Sequence, residues 1–175
     1  MNSDYEQPAS LSSAPLGWSS REATLERELR ITGRGLHTGR KVLVRILPDP
    51  EKKAGGGIVF RRMRGADCLS EARTSYSLWR KQPLCSTLQG TNGLLFRTVE
   101  HVLAALMMRE IDHAVVALDA EEVPILDGGA AEWLRALDAA GRAVLTAPKR
   151  FIRVAKPLEY VFGSISRYRA DPSAG

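Results

Sequence analysis

Two adjacent residues, Glu100 and His101, open the strongest helical pattern in this sequence, residues 98–108 (TVEHVLAALMM). The positive end of a helix macrodipole favours a carboxylate there. Adjacent helical residues are about 100° apart, so in the first turn both can lean over one cleft. Imidazole is a good zinc ligand, and a carboxylate beside it can act as general base toward a metal-bound water. The same dipeptide also suits a plainer role, with Glu100 answering first-turn amides and His101 an ordinary surface or core histidine. Spacing alone favours the plainer role.

The other histidines are His37 and His113, and the only cysteines are Cys68 and Cys85. His37 lies in residues 33–39 (GRGLHTG), where three glycines in seven residues predict a loop with unusual backbone needs. The cysteines are far apart and form no Cys-x-x-Cys, which excludes a disulfide framework and a thiolate zinc site.

The elements that must position these residues follow from periodicity. Residues 26–31 (ERELRI) alternate weakly and predict a strand; residues 41–47 (KVLVRIL) predict a firmer one, stopped by Pro48-Asp49-Pro50. Ile58-Val59-Phe60 starts another, and residues 64–82 read as polar and irregular. Residues 84–88 predict a short strand before the Gly90-Thr91-Asn92-Gly93 turn. In the helix at 98–108, Thr98 is the candidate cap, and Val99, Val102, Leu103 and Leu106 form an apolar stripe. Residues 114–118 (AVVAL) read as a buried strand and 122–129 as a loop. Residues 130–140 predict a second amphipathic helix, with Trp133, Leu134 and Leu137 inward and Gly141 as its stop. Residues 151–154 predict a last strand. Five or six strands and two helices in mixed order imply an α+β fold, a two-layer sandwich of a mostly antiparallel sheet with two helices on one face.

The 175 residues suit one domain with a tail, and 44% hydrophobic against 26% charged residues excludes disorder throughout. No apolar run reaches the roughly 18 residues of a transmembrane helix. Residues 1–22 are expected to be a flexible leader, rich in Ser, Pro and Ala. Its first 20 residues have no Lys or Arg and no apolar core of a secretory signal, so a cytoplasmic location is expected. The net charge of +5 suits an anionic partner. The basic residues are scattered without interleaved aromatics, however, so no nucleic-acid partner is expected.

Six blocks change the weight given to Glu100 and His101. They are GLHTG at 35–39, GIVFRR at 57–62, TVEHVLAAL at 98–106, Ile111-Asp112, EVPILDG at 122–128 and KRFIRV at 149–154. In this order and spacing the set closely resembles the N-terminal half of UDP-3-O-acyl-N-acetylglucosamine deacetylase, the zinc-dependent enzyme of lipid A synthesis in Gram-negative bacteria. The resemblance spans residues 25–158. It divides the chain into a leader (1–22), a deacetylase N-terminal-type domain (23–158) and a divergent tail (159–175).

The resemblance implies two similar α+β domains facing each other across an active site. It implies Glu100 as the general base and His101 as a zinc ligand. It places His37, Leu84 and Cys85 at the substrate cleft, with a UDP-linked acylated glucosamine as substrate. The family's remaining zinc ligands come from a second domain in a His-Lys-x-x-Asp motif. None of His37, His101 or His113 begins a His-x-x-x-Asp spacing, and His113 stands where the family usually has Asn. The chain is therefore expected to carry half an active site, to be completed by a second deacetylase domain or by self-association. The alternative is a non-catalytic single-domain paralogue acting as a binding or regulatory partner.

Overall fold

The computed structural model describes residues 17–52, 56–152, 154–163 and 166–172. In chain order it contains β1 (Arg21–Leu25), β2 (Leu29–Arg34), β3 (Lys41–Pro48), β4 (Ile58–Arg64), β5 (Asp67–Arg73), β6 (Trp79–Arg80), β7 (Thr87–Gln89), β8 (Leu95–Arg97), α1 (Glu100–Met108), β9 (Ala114–Leu118), α2 (Ala131–Ala140), β10 (Arg142–Pro148), β11 (Leu158–Phe162) and β12 (Ser166–Ala170). Two compact units result, Arg21–Pro148 and the described residues of Met1–Ser20 with Lys149–Gly175.

The larger unit is built on a five-stranded sheet in the order β2-β3-β9-β4-β5. Its pairs are antiparallel except β4 with β9, which run parallel. A parallel pair needs a long crossover, and here the intervening chain includes α1. β3 alternates, burying Val42, Val44 and Ile46. Across the register Val44 faces Leu118, Ile46 faces Val116, and Val116 faces Phe60. These residues form one core cluster with Val99, Val102, Ala105 and Leu106 at α1 and with Trp133, Leu137 and Ala140 of α2. Both helices therefore cover the same face of a mostly antiparallel sheet, the α+β architecture expected from the sequence. Each fully buried large side chain in this cluster contributes about 1.5–3 kcal/mol. β9 is buried along its whole length, as a continuous apolar run in a central strand must be.

A three-stranded sheet, β6-β7-β8, carries the chain into α1, and β1 pairs with β10. In the smaller unit β11 and β12 form an antiparallel hairpin, with Tyr160 opposite Tyr168. Among the described residues no helix is long and apolar enough to cross a membrane.

Several expectations need correction. The strand expected at 26–31 starts only at Leu29. Residues 64–82 hold β5 and β6, and the core positions of β5 are the small Ser70 and Ala72. Residues 151, 152 and 154 lie in no strand, and the next strand begins at Leu158. Twelve strands occur among the described residues, against the five or six expected, because the short pairings β1–β10, β6–β7 and β11–β12 carry weak patterns. Most of the expected leader lies outside the described residues, and β1 begins at Arg21, inside that span.

Candidate active site

The head of α1 is shaped by a sharp change of direction after β8. Phe96 is fully buried and packs against Phe60, with ring centroids 5.8 Å apart, which fixes β8 over the core. Thr98 then takes φ 57°, a left-handed conformation that a β-branched residue rarely adopts. Thr98 is not the helix cap: Val99 occupies that position, and the Thr98 hydroxyl turns away to Glu122. α1 starts at the next residue, Glu100.

Glu100 is half-buried and does not serve the first-turn amides. Its Oε2 accepts a hydrogen bond from Ser86 N–H at 3.0 Å. The Ser86 carbonyl in turn accepts from Val99 N–H at 3.3 Å. These two bonds dock Ser86 against the helix head. Leu84 is 90% exposed with φ 61°, a second strained backbone position, two residues before Ser86. Cys85 is half-buried, with Sγ 3.5 Å from Thr87 Oγ1. His101, also half-buried, follows Glu100 on the helix.

His37 reaches the same region through its loop. Its side chain is exposed, but its backbone N–H donates to Glu122 Oε1 at 3.0 Å and Thr38 N–H donates to Oε2 at 2.8 Å. The Thr98 hydroxyl also donates to Glu122 Oε1, at 2.9 Å. Glu122 is 1% exposed. Burial opposes its ionisation, yet the donors at His37, Thr38 and Thr98 outweigh burial and hold it below the ordinary carboxylate range. The loop closes through Gly39 N–H to Gly35 O and Gly35 N–H to Arg40 O, both 3.0 Å. A Cβ on Gly35 would lie 2.3 Å from Glu122 Oε2 and 2.5 Å from Thr38 Oγ1, so only glycine fits. The sequence pattern over residues 122–129 predicts only a loop and does not single out Glu122. The available signal was slight: Glu122 is one of two acids in the EVPILDG block, and the apolar Val123 follows it.

His113 takes no part in this region. It is buried, its Nδ1 accepts from Gly57 N–H at 2.7 Å, and its Nε2 lies 2.9 Å from Glu22 Oε2. With Nδ1 accepting, the ring proton sits on Nε2 and faces Glu22. Burial opposes ionisation of Glu22, but hydrogen bonds from Lys52 and His113 prevail and lower its pKa.

A catalytic zinc centre takes three protein ligands and an open position. Among the described residues no three His, Cys, Asp or Glu side chains come together to hold a metal ion. The His101 imidazole is one side chain able to ligate a metal.

The fold and this site define an α+β protein that presents a carboxylate and an imidazole at the head of its first helix. The family model described as LpxC, UDP-3-O-acyl N-acetylglycosamine deacetylase, matches residues 22–175, and the chain belongs to that family. It is 40% identical over 138 residues to a UDP-3-O-acyl-N-acetylglucosamine deacetylase of Vibrio cholerae, covering 79% of this chain and 44% of that protein. Its identity to the same enzyme of Vibrio atlanticus is 39% over 143 residues, covering 82% of this chain and 46% of that protein. For the Photobacterium profundum enzyme the figures are 38% over 138 residues, 79% and 44%. The chain thus spans less than half the length of these curated relatives.

Proposed function

We propose that this chain carries the N-terminal domain of a deacetylase acting on UDP-3-O-acyl-N-acetylglucosamine in lipid A synthesis, with Glu100 as its general base. The observation that carries this reading is the helix-head geometry in a member of this family: a carboxylate oriented by Ser86 N–H, with an imidazole next to it. Glu100 takes a proton from the water that attacks the acetamide carbonyl. The acetamide C–N bond then breaks, the sugar nitrogen takes a proton, and acetate leaves. Ser86 occupies Oε2; among the described residues Oε1 has no partner, and it receives the proton.

His101 is proposed as one ligand of a zinc ion whose other ligands lie outside the described residues. Zinc, when bound, supplies Lewis-acid polarisation. His37, Leu84 and Cys85 are proposed to line the substrate cleft, and the net charge of +5 suits a UDP-linked, anionic substrate. A cytoplasmic location is part of this proposal and fits the two free cysteines.

The test is a chimera in which residues 22–158 replace the matching segment of the Vibrio cholerae enzyme. The chimera is expected to release acetate from the substrate, and Glu100→Ala to slow that release by about 10²–10⁴-fold. A folded, inactive chimera, or a Glu100→Ala chimera as fast as its parent, overturns the reading. A second reading, a non-catalytic binding or regulatory partner, is favoured by the lack of a three-donor cluster among the described residues. It predicts that Glu100→Ala leaves the protein's function intact.

A further inference from the structure

We propose that Glu122 is the positioning residue of this site: one buried carboxylate clamps the His37 loop to the Thr98 elbow and so sets both relative to Glu100 and His101. The inference rests on reading Glu100 and His101 as the reacting pair. Donors from two distant segments converge on Glu122, among them His37 N–H, Thr38 N–H and Thr98 Oγ1–H. The backbone around Glu122 joins the same elbow. Arg97 N–H donates to Glu121 O at 2.8 Å, and Val123 N–H donates to Arg97 O at 3.0 Å.

The clamp explains features that presentation of His37 alone does not. Gly35 is needed because a side chain there would collide with the carboxylate and with Thr38. The Thr98 backbone is strained, and its hydroxyl bond to a buried anion offsets that strain. Two residues beyond Thr98 stands Glu100, whose bond from Ser86 N–H requires the helix head to be correctly aimed. Glu122 touches no reacting atom in this scheme; it acts through the loop and the elbow.

The test uses the full chain without substrate, following hydrogen exchange and NMR signals. Glu122→Gln preserves shape but turns an acceptor into a donor opposite N–H groups. It is expected to speed exchange of the His37 and Thr38 amides about tenfold or more. It is also expected to move the Ser86 amide and His101 imidazole signals, while the His113 imidazole stays in place. Thr98→Val should move the Ser86 and His101 signals, and Thr98→Ser should restore them. Unchanged exchange at His37 and Thr38 in folded Glu122→Gln overturns the clamp. So do Ser86 and His101 signals that respond equally to Val and Ser at position 98, and this arm decides the question if Glu122→Gln does not fold. Because no turnover is read, a failed deacetylation assay and a failed clamp remain separate results.

Discussion

Glu122 shows how a single buried charge can be tolerated in this unit. A carboxylate removed from water is costly unless several donors meet it. Here the donors prevail, so native Glu122 ionises at lower pH than the same group in the unfolded chain, near 4.3. Between those two values the unfolded state binds more protons, and stability must rise with pH. The contribution is complete above about pH 4.3 and is lost as pH falls through the native pKa. Urea denaturation followed across acidic pH should give a shallower slope for Glu122→Gln than for wild type. An identical slope would show that this carboxylate is not linked to folding. Glu22 shifts in the same direction, so the variant should flatten the profile rather than abolish it.

At the scale of elements, the helices are held by what they bury. Leu106 of α1 is 1% exposed within the shared core. Leu106→Ala should cost about 2–5 kcal/mol, read as a lower urea midpoint with unchanged slope. A cost below about 1 kcal/mol would mean that α1 does not pack as described. The same burial explains which elements could be read from sequence. α1, α2 and β3 carry apolar residues at the period of their element and β9 is a continuous apolar run, so pattern alone located them to within a few residues. β5 stayed hidden because its core positions are Ser70 and Ala72, which give no hydrophobic signal. β1 and β10 are stabilised by pairing with each other across more than a hundred residues, a long-range term that no local window contains. The site divides in the same way. Glu100 and His101 were legible as a helix-head pair, whereas the Glu122 bonds to His37 and Thr38 span 85 and 84 positions.

At the scale of the whole molecule, this family member spans less than half the length of its curated relatives, and its described residues bring together no three metal-binding side chains. The proposed function has a zinc centre shared with residues outside those described. The proposed account makes Glu100 and His101 one side of that centre, held in place by Ser86 and, through the Thr98 elbow, by Glu122. Its central claim is tested most directly by zinc content, measured by elemental analysis after dialysis against a weak chelator. The account predicts well under one zinc per chain for this protein alone. For the chimera with the Vibrio cholerae enzyme it predicts one zinc per chain, lost on His101→Ala. A full equivalent held by this chain alone, or a chimera that keeps its zinc without His101, would contradict it.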